Sequence, residues 1–284
     1  MRALLRIFFV VWALVTTASI AGLQSAAAAG ATRPVQAPAC NEATAEPSIT
    51  IDLPGRVFKA IPSRDGCWIF ASLQGREPAQ PGIAVLRRNA GRVSLERVVA
   101  LEGPSALVLT NDGALLVVAN RDFVEFLDVD RLTSGQGDPK LGRVTGGSGS
   151  AEAFVNVTAD DRFLFVSDHA YETVSVYDLR KASDSNFSVD SKVGTIPVGR
   201  ASLSTIFSPD GRTAYSISEF APEGRNWPAA CGDNPEGVLM VVDVERAQSD
   251  PSHSVLSAVP SGCTTVRLVL SPGGERAYVT ARAG

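Results

Sequence analysis

Five times along this chain a short polar turn separates two apolar, β-branched runs, and the five copies align as one motif: IPSRDGCWIFAS, LTNDGALLVVAN, VTADDRFLFVSD, FSPDGRTAYSIS and LSPGGERAYVTA. The turn slot holds Gly66, Gly113, Asp161, Gly211 and Gly274, at steps of 47, 48, 50 and 63 residues. A hairpin built on a type I turn needs its next residue at positive φ, which Gly adopts freely and Asp better than most. Pro209 and Pro272 pre-set φ at the first central position, and Asp210 can bond its own backbone. These strings therefore mark turns rather than chemistry. Units recurring at this length cannot bury their apolar faces alone and must stack on one another.

From residue 50 onward no stretch keeps a helical period for three turns, and runs rich in Val, Ile, Leu, Phe and Tyr alternate with Gly, Pro, Asp, Asn and Ser clusters. The chain reads as all-β. Each period accommodates four strands; in the third they are EAFVNVTA (a), FLFVSD (b), TVSVYDLR (c) and KVGTIPVG (d). This pattern predicts a β-propeller of four-stranded antiparallel blades, at about 57–103, 104–149, 150–199 and 200–262, with a partial blade at 263–284. Strand c ends in an aspartate three times, at Asp128, Asp178 and Asp243, while the first period has Arg87 there. Because they recur with the fold, these aspartates are expected to cap the c–d turn rather than form a catalytic dyad.

The N-terminus has a different logic. Arg2 and Arg6 precede the apolar run Ile7–Leu23, and QSAAAAGA supplies the small residues a signal peptidase needs near Ala28 or Ala29. Residues 1–29 read as a signal peptide and 30–47 as a lead-in to a domain over 48–284; an uncleaved membrane anchor is the alternative. Either way the body is exported, to the periplasm or the outside. Cleavage would move the formal charge from −4 to about −6, which argues against nucleic acid as a partner. Cys40, Cys67, Cys231 and Cys263 all lie in the exported part, where disulfides are the default. None has metal spacing, and with His169 and His253 the sole histidines, no metal or cofactor is expected.

The strings AYVTARAG, VVANRD, TVSVYDLRKA and KVGTIPVGRASLSTIFSPDGRTAYSIS resemble the YVTN-repeat β-propellers of exported bacterial proteins and, more broadly, the lactonase-like seven-bladed propellers. The resemblance runs from about Ser48 to Gly284. A seven-bladed ring needs more chain than this, so a C-terminal truncation of two to three blades is expected, with an exposed edge in the remaining arc. Ser48–Gly55, SITIDLPG, offers itself as an extra d-strand from the N-terminal side.

In a propeller the b–c and d–a loops emerge on one face. Blade four has a long b–c loop carrying Cys231, and Cys263 lies in the d–a loop that follows, so these two should pair. Cys40 and Cys67 then pair by elimination and pin the lead-in to blade one; two free thiols are the alternative. The same face should carry Asn120, Arg121 and Asp122 from blade two, Asp168, His169 and Tyr171 from blade three, and Glu219, Arg225 and Trp227 from blade four. Two functions follow. The first is a binding scaffold for a protein, peptide or carbohydrate ligand at this face. The second, implied by the resemblance, is hydrolysis of a sugar lactone, with His169, Glu219 and Arg225 as candidate catalytic groups.

Overall fold

The computed structural model describes residues 40, 48–75, 80–120, 123–145, 153–187, 190–222, 231–232 and 234–283. Residues 1–39 and 41–47, the expected signal peptide and most of the expected lead-in, lie outside these. The first sheet contains β1 (Arg56–Pro62), β2 (Trp68–Gln74), β3 (Gly82–Asn89) and β4 (Arg92–Ala100). The second contains β5 (Pro104–Leu109), β6 (Leu115–Asn120), β7 (Phe123–Asp128) and, after the helix α1 (Val129–Ser134), β8 (Lys140–Thr145). The third follows with β9 (Ala153–Val157), β10 (Phe163–Asp168), β11 (Thr173–Asp178), α2 (Leu179–Asp184) and β12 (Lys192–Pro197). The fourth has β13 (Arg200–Phe207), β14 (Thr213–Phe220), β15 (Val238–Asp243), α3 (Val244–Ala247) and β16 (Val255–Pro260). β17 (Cys263–Leu270) and β18 (Ala277–Ala283) form a fifth, two-stranded sheet. Every complete sheet is an antiparallel meander in chain order, so the blades are those expected from the repeat, and they do not close into a ring.

The turn slot behaves as its chemistry requires. Gly66, Gly113, Asp161, Gly211 and Gly274 have φ of 70, 79, 55, 70 and 79°. In four copies a hydroxyl braces the turn: Ser63, Thr110, Thr158 and Ser208 donate to Asp65, Asp112, Asp160 and Asp210 at 2.5–2.6 Å. Each aspartate also accepts a backbone N–H two residues on, from Cys67, Ala114, Arg162 and Arg212. The hydroxyl bonds hold the Asp112 and Asp210 carboxyls below the usual range. Asp161 does more than occupy the slot: it accepts from Asn111 N, Asn111 Nδ2 and Asp112 N at 2.6, 2.8 and 2.9 Å, tying the turn of blade three to that of blade two.

The strand-c aspartates are caps, on helices rather than plain turns. Asp128, Asp178 and Asp243 accept from the N–H of Arg131, Lys181 and Arg246 at 2.9–3.0 Å and start α1, α2 and α3. Blade one, without the aspartate, turns directly from β3 to β4 through Ala90 and Gly91, at φ 46 and 74°, the two-residue hairpin whose hand suits twisted strands.

Apolar side chains meet between blades. Phe70, Ile83 and Val85 pack with Leu107, Leu116 and Leu127 in the seam of blades one and two. Val117, Val124 and Phe126 meet Val155, Leu164 and Val166 between two and three. Phe163, Phe165 and Val176 meet Ala214, Met240 and Val242 between three and four. Ser48–Gly55 is not the d-strand expected: it runs irregularly, and Ile51 and Leu53 cover the outer flank of blade one over Ala71, Leu73, Ala84 and Leu86. Covering that flank satisfies its apolar residues without ladder pairing. At the other end of the arc, Val269 and Tyr278 are 60% and 53% exposed.

Candidate functional site

The b–c turns begin where the b-strands end, and the d–a connections share that edge because Thr173 pairs with both Asp168 and Pro197. His169 leaves β10 there, and Glu219 sits near the end of β14. His169 Nε2 lies 3.9 Å from Glu219 Oε1, with the imidazole half-buried and the carboxylate more deeply so. The imidazole of one blade is thus set beside the acid of the next, too far apart for a direct hydrogen bond but close enough to share a water or a ligand hydroxyl. Tyr171, in the same turn of blade three, is 54% exposed. Arg121, Asp122, Arg225 and Trp227, and the side chain of Asp168, lie outside the described residues. Asn120 is brought beneath the face rather than onto it: it is buried, and its Oδ1 accepts from Gly103 N at 2.8 Å, holding the incoming d–a connection.

The disulfides are those expected. Cys231 pairs with Cys263 and Cys40 with Cys67, with Cα separations of 5.5 and 5.1 Å. The first fastens the long b–c loop of blade four to β17. Backbone bonds reinforce that root: Gly237 N donates to Gly262 O at 2.8 Å and Ser261 N to Gly237 O at 2.9 Å. Glycine is required at 237, since a Cβ there would run into Thr265 Oγ1.

A second feature escaped the sequence reading. Where the b–c and d–a connections of blade one meet β7 and β8 of blade two lies a cavity of about 770 Å³, walled on its apolar side by Pro81, Val98, Ala100, Leu101 and Phe123. Its polar side carries Asn120, Glu125, Lys140 and Arg143. Glu125 is 8% exposed, and burial pushes its carboxyl up against the opposing pull of Lys140 and Arg143. Arg143, directly across the ladder from Glu125, places its guanidinium over the Phe123 ring, 4.6 Å from the centroid. The signal was available as a break in the repeat: the cross-strand pair Glu125–Arg143 stands where the other blades have Ala84–Val98, Ser175–Thr195 and Met240–Ala258.

Among the described residues no group of His, Cys, Asp and Glu is arranged to hold a metal ion, and no helix is long and apolar enough to cross a membrane.

No family model matches the chain, and no curated protein matches it in sequence. Solved structures do match its fold. Hydrazine synthase of Kuenenia stuttgartiensis aligns with a TM-score of 0.58 at 20% identity, over 84% of this chain and 58% of its own. The periplasmic gluconolactonase of Pseudomonas aeruginosa aligns with 0.58 at 20%, over 78% and 63%. A Bacteroides fragilis protein provisionally assigned as a 6-phosphogluconolactonase aligns with 0.52 at 14%, over 72% and 55%. The chain thus spans less than two thirds of each of these structures. At such identities the likeness is one of fold alone, the propeller-like arrangement of four-stranded antiparallel blades.

Proposed function

We propose that this protein is an exported β-propeller scaffold that binds a protein, peptide or carbohydrate ligand on its b–c and d–a loop face. The observation that carries this reading is the Cys231–Cys263 bridge, which ties the C-terminal root of the longest loop of that face to the neighbouring strand and so holds that root at the face. His169, Tyr171 and Glu219 supply an imidazole, an exposed ring and an acid beside it. Two disulfides fit an oxidising compartment. Peptide and glycan arrays probed with the purified protein test the reading. Specific signals that fall at least about tenfold in a Tyr171→Ala, Glu219→Gln double variant are expected; signals indifferent to both substitutions would overturn it.

A second reading, lactone hydrolysis, is favoured by one specific observation, the approach of His169 to Glu219, together with the gluconolactonase among the structures of like fold. In that reaction water adds to the lactone carbonyl, the ring C–O bond breaks, and a proton passes to the departing oxygen. His169 or Glu219 would take the proton from water and return it. Glucono-1,5-lactone opening, followed against the uncatalysed rate, decides: a rate above background that His169→Ala abolishes establishes hydrolysis, and a background rate retires it.

A further inference from the structure

We infer that the cavity between blades one and two is a binding site for a small amphipathic carboxylate, its anionic head held by Arg143 and Lys140 and its apolar body lying on Val98, Ala100, Leu101 and Phe123. The site reaches the same loop edge at blades one and two, through Pro81, Leu101 and Asn120, but shares no residue with the His169, Tyr171 and Glu219 group of blades three and four, so each can be tested without the other.

Internal repetition carries the first part of the argument. The four complete blades share one packing problem, and at the cross-strand position of Glu125 and Arg143 the other three solve it with Ala and Val, Ser and Thr, or Met and Ala. A carboxyl with 8% exposure is a costly substitute for any of these unless it is fully compensated. Compensation by Arg143 is incomplete. Among the described residues the ion pairs within 4 Å include neither Glu125 nor Arg143 nor Lys140, and the guanidinium lies instead on Phe123. Asn120 hydrogen-bonds the acid, but no cation closes an ion pair with it among the described residues, so the two cations remain available to an anion.

Shape and chemistry give the ligand class. A volume of about 770 Å³ falls within the range usual for small-molecule sites, which combine an apolar wall with a few convergent polar groups. A planar guanidinium already seated on an aromatic ring presents its edge for bidentate contact with a carboxylate. Asn120 has its Oδ1 committed to Gly103 N, which leaves its amide N–H donors for Glu125. Glu125 lines the cavity beside Lys140 and Arg143. When protonated it can donate to the ligand; when ionised it repels it. The charged groups bearing on Glu125 are Lys140 and Arg143, which favour ionisation, and Asp138, which opposes it; Glu102 also lines the cavity. Carboxylate affinity should therefore weaken as pH rises through the elevated range in which Glu125 titrates.

Isothermal titration of the whole protein with acetate, butyrate, 4-phenylbutyrate and the uncharged 4-phenylbutanol tests this. At pH 5.5, 4-phenylbutyrate should saturate with a Kd below about 1 mM, with acetate and the alcohol each at least about tenfold weaker. Arg143→Met should weaken binding by about tenfold or more and Lys140→Met by less. Both side chains are exposed, so these variants should fold as the parent does, checked by circular dichroism before each titration. Glu125→Gln should retain binding at pH 5.5 and flatten whatever decline the parent shows as pH rises. Absence of saturation by 4-phenylbutyrate, equal affinity for the alcohol, or an Arg143→Met protein that binds as the parent does would each overturn the assignment.

Discussion

The seam between blades two and three and the seam between blades one and two join the same kinds of strand, yet one is filled and the other holds a cavity. In the filled seam the connection after α2 carries Phe187 back over blade two, where its ring stacks on Phe126 with centroids 4.4 Å apart. Gly142 on β8 makes this possible, since a Cβ there would collide with Phe187. The seam of blades three and four repeats the device: Pro251, in the 3-10 turn after α3, sits against Gly194 of β12, where a Cβ would be only 3.1 Å away. Blade one has Arg97 at the matching register position, and the contact it makes with the helix of the next blade is polar, Nη2 donating to Thr133 O at 3.4 Å. What separates the seams is a glycine with an apolar plug in two of them and an arginine on a carbonyl in the third. That third seam is where the cavity lies.

Breaking the filled seam should have the largest effect. Phe126→Ala removes a fully buried ring with its stacked partner and should cost about 3–5 kcal/mol in urea denaturation. Next comes the clip at its turn end. Asp161→Ala deletes three hydrogen bonds between blades and keeps a side chain at φ 55°, for a loss of about 2 kcal/mol. Asp161→Gly, which relieves φ while losing the same bonds, should fall short of that by about 0.5–1 kcal/mol. Smaller again is the cap that starts the helix presenting Phe187: Asp178→Ala should cost about 1 kcal/mol.

The smallest effect belongs to the cavity seam and has the opposite sign. Glu125 has a folded-state pKa above its unfolded value, so the native state holds more protons between the two. Stability from this group is present below the unfolded value and declines as pH rises to the folded one. Glu125→Gln should flatten that decline and raise stability at pH 7 by no more than about 1 kcal/mol, read as the difference between thermal melts at pH 4.5 and 7. A Gln variant less stable than the parent at pH 7 would mean that the ionised carboxylate is satisfied in its seam, and the contrast between the two seams would lose its electrostatic half.

Legibility in the sequence followed the range of the interaction. The turn slots, the braces that Ser or Thr makes to an Asp two residues on, and the caps at Asp128, Asp178 and Asp243 all close within a few residues, so residue type and spacing carry them. The short helices behind those caps were not visible, because six residues span under two turns and leave no periodicity. The Cys231–Cys263 bridge could be anticipated once the propeller order placed the b–c and d–a loops on one face, and Cys40–Cys67 followed by elimination. Asp161 was legible as a turn former; its bonds to Asn111, fifty residues away, were not. On the loop face, His169, Tyr171 and Glu219 were named in advance as groups from neighbouring blades, but their spacing was not, because it depends on how far each blade turns relative to the last.

Taken alone, the sequence determined the repeating unit, its strand order and the hand of its turns, since each is set by local φ preferences and by alternation over a few residues. Tertiary structure decided which seam closes on an aromatic ring and which remains a cavity, that Asn120 is a buried brace, and that Ser48–Gly55 is a cover rather than a strand. The physical reason is common to all three. Each outcome depends on volume left between blades, and that volume is a difference between neighbours distant in sequence, which no single run of residues encodes.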